Sequence, residues 1–135
     1  MPKDISSDKY LLQNGDLITA RHGNCGRTAI FQGNQKSVFT NDLIRIKLDN
    51  QILPKYYWYF TKSLEYWEQV NNLVKGTAQP QFNANSLKEI QIPIPSLEEQ
   101  QKIITKGERR QKIITHQKET IQILCQEKEE LLNSL

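Results

Sequence analysis

No stretch of the chain approaches the roughly 20 apolar residues that a membrane-spanning helix needs, so a membrane helix is excluded. The opening MPKDISSDKY has no apolar signal core. Cysteine is scarce. Cys25 and Cys125 lie in unlike contexts, so no disulfide framework is expected and a reducing cytoplasm fits. Histidine is equally scarce. His22 and Cys25 stand three apart, but His116 and Cys125 fall on a different element, short of the three or four ligands that a zinc site requires. The G-x4-G-K-[ST] spacing of a phosphate loop is missing from Gly23–Thr28. A nucleophile at Cys25 would also need an oriented base, so a turn cysteine is the better reading.

Apolar residues are also few, at 37% against 24% charged, although not few enough for disorder. A long solvated helix, which buries only a stripe, would account for the deficit. The 135 residues suit one modest domain, or a small domain plus an extension. The net charge of +3 is unevenly spread. Residues 96–135 hold seven Lys/Arg and seven Asp/Glu, whereas residues 1–95 hold 11 and 8. No carboxylate occurs between Asp16 and Asp42, where Arg21, Arg27 and Lys36 lie. None occurs between Glu68 and Glu89, where Lys75 and Lys88 lie. Two acid-free windows fit either a surface tolerant of phosphates or a solvated face with chance clustering.

The chain reads as α+β. DLITAR (16–21), RTAIF (27–31) and LIRIKL (43–48) read as strands separated by the turns HGNCG and GNQ. In the last, Ile44, Ile46 and Leu48 alternate with Arg45 and Lys47, which predicts one wet face. From Lys55 to Val74, the residues Tyr56, Phe60, Leu64, Trp67, Val70 and Val74 recur at steps of three or four. This predicts a single amphipathic helix with Pro54 in its first turn and Gly76 as its stop. The aromatics Tyr56–Phe60 suit stacking on bases or packing on the sheet, and as the largest apolar groups of the helix they favour the core. LKEIQI (87–92) reads as a short strand that Pro93 and Pro95 terminate.

Ser96-Leu97-Glu98-Glu99 forms a capping box, and no proline follows it. A helix over 97–134 would be about 57 Å long at the standard rise. A heptad frame at 103, 107, 110, 114, 117, 121, 124, 128, 131 and 135 carries Ile103, Ile114, Ile121, Leu124, Leu131 and Leu135. Gly107, Arg110, Gln117 and Lys128 interrupt it. Such a seam calls for a partner helix, or for a fold back onto its own domain. The expected division is 1–95 for a small domain and 96–135 for a long helix with an apolar seam.

Four motifs in order carry a family resemblance. They are Gly15-Asp16-Leu17-Ile18, Arg21–Arg27 (RHGNCGR), Gly76–Asn83 (GTAQPQFN) and Ile92–Gln100 (IPIPSLEEQ). Together they resemble the second part of a target-recognition domain, with its following helix, in the specificity subunit of type I restriction–modification systems. The resemblance implies a small mixed or β-rich recognition domain with one packed helix, then a long helix of coiled-coil type. It implies a non-catalytic subunit with two recognition domains, each reading half of a split double-stranded DNA target, held apart by helices. Its implied partners are adenine-methylating modification subunits, a restriction subunit, and a second specificity half or a second copy through the C-terminal helix. S-adenosylmethionine and ATP belong to those other subunits, so no cofactor is expected here. The family's recognition domains usually carry further strands before the "GD" motif, which points to a truncated or split gene product, or an excised fragment.

The residue chemistry suggests which groups meet DNA. Arg pairs bidentately with guanine, and Asn or Gln with adenine. The candidates are Arg21, His22, Asn24, Arg27, Thr77, Gln79 and Gln81, with Lys36 and Lys75 suited to phosphates. A coiled-coil adaptor without DNA function is the alternative, with residues 97–135 as its active part.

Overall fold

The computed structural model describes residues 11–33, 37–38, 42–75 and 82–135. The chain divides into two compact units, Met1–Gln101 and Lys102–Leu135.

The first unit is α+β. Strands β1 (Leu11–Leu12) and β4 (Ser37–Val38) pair antiparallel, with Leu11 opposite Val38. A three-stranded antiparallel sheet has β2 (Leu17–Ala20) between β3 (Thr28–Ile30) and β5 (Leu43–Ile46). Leu17 faces Ile30 on one side and Ile46 on the other. The GD motif organises the start of β2. The Asp16 carboxylate accepts the Gln13 amide at 2.8 Å and meets Arg45 of β5 at 3.0 Å. That pairing corrects the wet face expected for β5, because all four of its residues are half-buried and the Arg45 side chain is only 14% exposed. Thr19 and Thr28, opposite each other in the ladder, satisfy each other's buried hydroxyls at 2.8 Å.

Residues 55–74 form two helices, not the one expected. Helix α1 (Pro54–Phe60) stops where Thr61 and Ser63 turn their hydroxyls onto the carbonyls of Trp58 and Phe60. Ser63 is extended, and its Oγ accepts the Tyr66 amide at 3.2 Å, which starts α2 (Leu64–Val74). The break shifts the helical phase. Leu64, expected inside, is 76% exposed, while Tyr66 is fully buried and Trp67 half-buried. Helix α2 ends at Val74 with Lys75 extended, and Gly76, the expected stop, lies outside the described residues.

The strand expected at 87–92 is also corrected. Asn83 accepts the Ser86 amide at 2.9 Å and opens a short helix, α3 (Ala84–Glu89), followed by extended chain. Among the described residues this unit therefore carries three short helices, where one packed helix was expected. The core joins Cys25, Phe60, Tyr66, Val70 and Phe82, with Ile44, Trp67, Leu73, Val74, Leu87, Ile90 and Ile92 around them. The aromatic run at 56–60 is largely core, since Tyr56, Tyr57 and Phe60 are buried. Burial raises the phenol pKa of Tyr56, Tyr57 and Tyr66.

Helix α4 (Leu97–Asn133) runs 37 residues without interruption. Ser96 Oγ accepts the Glu99 amide at 3.3 Å, as the capping motif predicts. Gln100 and Ile104 are buried, whereas every residue from Arg109 to Leu135 is exposed.

Candidate nucleic-acid interface

The turn between β2 and β3 is built around two carbonyls. The Arg21 carbonyl accepts the Phe82 amide at 3.0 Å and the Cys25 thiol at 3.2 Å. The Gly26 carbonyl accepts the Tyr66 hydroxyl at 2.6 Å and Thr28 Oγ1 at 3.1 Å. The hairpin closes with Ala20 donating to the Arg27 carbonyl and Gly26 donating to that of Ala20. Gly23 and Gly26 hold positive φ, at 70° and 87°. A Cβ at Gly26 would lie 2.8 Å from Val70, so α2 packs directly on the turn's base. Cys25 is buried in the core, and its place there is structural.

The base of the turn is thus fixed while its outer residues reach solvent. His22, Asn24 and Arg27 are exposed, and Arg21 is half-buried. Asp42 stands close by. Its carbonyl accepts the Arg21 amide at 2.8 Å, and its carboxylate lies 3.9 Å from His22 Nε2. The acid-free window read along the chain therefore ends in space beside the turn, and a carboxylate borders this surface.

The second predicted segment is tied to the same place at its ends. Lys75 is exposed and follows Val74, which packs on the core cluster, while Phe82 sits within that cluster. Thr77, Gln79 and Gln81 lie outside the described residues, as does Lys36. The structure therefore brings Arg21, His22, Asn24 and Arg27 together on one turn and links that turn to Phe82. This link was not read from the sequence. Phe82 follows a polar run, and only its size and apolarity hinted at a core position.

The sequence also missed a set of amides that hold the chain entering α4. Gln69 grips residue 91 at both backbone groups, donating to the Gln91 carbonyl at 3.0 Å and accepting the Gln91 amide at 2.8 Å. The Tyr56 hydroxyl donates to the Pro93 carbonyl at 2.7 Å. Gln100 is fully buried and bonds to residues 51, 53 and 95. Among the described residues, no group of three potential metal ligands occurs, and no helix is long and apolar enough to cross a membrane.

The predicted seam residues Ile103, Ile114, Ile121, Leu124, Leu131 and Leu135 are all exposed, from 43% at Ile103 to 100% at Leu135. Ile113 and Leu132, which flank the heptad frame, are exposed as well and widen the apolar strip.

A model of the type I restriction modification DNA specificity domain matches residues 5–131. Among solved structures, the chain is similar to one from work on the complex assembly and conformational transition of the type I R-M system. The TM-score is 0.67 at 19% identity, over 82% of this chain and 26% of that one. At this identity the likeness speaks for the fold, and the chain spans about a quarter of the length of the solved one. No curated protein matches the chain significantly.

Proposed function

Because the chain belongs to the type I restriction modification DNA specificity domain family, we propose that it reads one part of a split duplex target for a restriction–modification complex. It performs no catalysis in this reading. Adenine-methylating modification subunits and a restriction subunit dock on the assembled specificity unit and bring their own S-adenosylmethionine and ATP. The chain supplies one recognition surface and one helix, and a second specificity half or a second copy supplies the other.

The bond from Phe82 to the Arg21 carbonyl carries the assignment, because it gives the two motif segments a common root. Arg21, His22, Asn24 and Arg27 are the direct candidates on the turn. Thr77, Gln79 and Gln81 are candidates on the second segment, and Lys36 and Lys75 would contact phosphates. A side chain rooted in a packed turn meets a base edge with little ordering cost. The Asp42 carboxylate repels phosphate, so its neighbourhood suits base edges better than backbone.

The test uses the full chain assembled with its modification subunits, with methylated adenines mapped on the DNA it modifies. Arg27→Ala should cost about 1–3 kcal/mol at one position of the target and relax the base accepted there. Unchanged affinity and selectivity would remove Arg27 from the interface. The exposed apolar strip of α4 favours a second reading, a helix adaptor without DNA contact. A salt dependence of duplex binding with zero slope would favour that reading.

A further inference from the structure

The turn Arg21–Arg27 shares its end of the sheet with the start of β5. Leu43 of β5 faces Ala20 of β2, and the ladder runs one residue further, where the Arg21 amide donates to the Asp42 carbonyl at 2.8 Å. On the other side of β2, the Ala20 amide donates to the Arg27 carbonyl at 2.9 Å. Neighbouring strands stand about 4.8 Å apart, so Asp42 and Arg27 flank the same step of β2. The Asp42 side chain is 76% exposed, and its Oδ1 lies 3.9 Å from Nε2 of His22, which is too long for a hydrogen bond. A carboxylate has about four acceptor sites and no donor. At this exposure, acceptor capacity faces outward beside the exposed His22, Asn24 and Arg27.

A surface that meets DNA gains from cations, and a carboxylate there works against phosphate. What the carboxylate adds is selectivity. Pressed against a groove with no donor to meet it, it loses water and faces repulsion. In the major groove, guanine offers N7 and O6 and thymine offers O4, all of them acceptors. Cytosine offers the N4 amino group, and adenine the N6 amino group beside its N7 acceptor. The carboxylate is therefore matched by an amino-bearing base, cytosine best, and opposed by guanine and thymine. The neighbouring Arg21 and Arg27 make the reverse choice, since guanidinium donors favour guanine. Donors and acceptors side by side on one sheet end thus suit the two kinds of edge that a G·C pair presents.

We propose that Asp42 is a specificity-determining residue: its exposed carboxylate, beside the turn Arg21–Arg27, requires a base with an exocyclic amino group in the major groove at one position of the target. This rests on the reading of the chain as a recognition half. The test compares native chain, Asp42→Asn and Asp42→Ala, each assembled with the modification subunits and second half, by mapping methylated adenines on cellular DNA. Both variants keep the backbone carbonyl that holds Arg21. An asparagine amide donates as well as accepts, so it tolerates all four bases, and alanine makes no contact. The expected native target has one position restricted to cytosine or adenine, which either variant opens to guanine and thymine. Methylation at those added sites should rise about tenfold over the native chain, equivalent to about 1.4 kcal/mol of lost discrimination. Where one variant fails to assemble, the other carries the comparison. Opening at a position that the native chain restricts to guanine or thymine overturns the proposal, because the carboxylate would then act by holding a neighbouring side chain. Base requirements unchanged in the assembled variants overturn it too, whatever the total methylation, since a merely structural residue would behave so. A native chain that imposes no half-site at all overturns the recognition reading, and this inference with it.

Discussion

Gly26 and Gly15 both adopt positive φ, at 87° and 92°, but their surroundings differ. A Cβ at Gly15 meets nothing within 4 Å, whereas one at Gly26 would lie 2.8 and 3.1 Å from the two Val70 methyls. Gly15→Ala should therefore cost only the backbone penalty, about 1–2 kcal/mol. Gly26→Ala should add about 1–3 kcal/mol for overpacking against α2. Urea unfolding of the two variants checks this. Equal midpoints would mean that the turn does not pack on Val70 as described. The turn itself was legible, because glycine and asparagine cluster between two extended runs. Its anchoring was not, since the partners Tyr66, Val70 and Phe82 are 40 or more residues away in sequence. Gln100 was hidden for the same reason. Glutamine belongs on a solvated helix by composition, and only tertiary neighbours show that it is enclosed.

Elements were legible where one local signal dominated. The strands at 17–20, 28–30 and 43–46 follow from β-branched runs between turn residues. The cap at Ser96 and the absence of proline beyond it gave the start and persistence of α4. Residues 55–74 misled because the apolar spacing tolerates one continuous helix, and side-chain oxygens at Thr61 and Ser63 decide otherwise. Residues 87–92 misled because Leu87, Ile90 and Ile92 read as alternation, although the first step is the three-residue step of a helix. The Asn83 cap would have signalled the helix. If Ser63 sets the break, Ser63→Ala should lose the α2 cap and about 1 kcal/mol of stability. Ser63→Asp should retain most of it, because a carboxylate also accepts the Tyr66 amide. Thermal melts of both variants test this, and equal losses would show that the break arises elsewhere.

For the molecule as a whole, the long apolar strip is the feature that remains to be covered. From Arg109 onward α4 buries nothing, yet it presents Ile113, Ile114, Ile121, Leu124, Leu131 and Leu132 to solvent. Single helices in water draw little stability from propensity alone, and Gly107 lowers it by about 1 kcal/mol relative to alanine. A second helix from another copy, or from a matching specificity half, would bury the strip as a coiled coil does. The chain should then sediment above its 15.8 kDa when concentrated. Introducing charge by Ile114→Glu with Ile121→Glu should return it to the monomer and reduce helicity together, because burial and helix formation are coupled. Full helicity in a concentrated monomer would defeat this account, since α4 would then stand without a partner. On the proposed reading as one recognition half, the same pair of substitutions in the assembled complex should abolish methylation at the complete two-part target, because the second recognition surface would no longer be held in place. Contacts within the turn at Arg21–Arg27 lie far along the chain from both sites, so binding to a single half-site should survive. A variant that loses half-site binding as well would mean that the recognition unit itself depends on the paired helix.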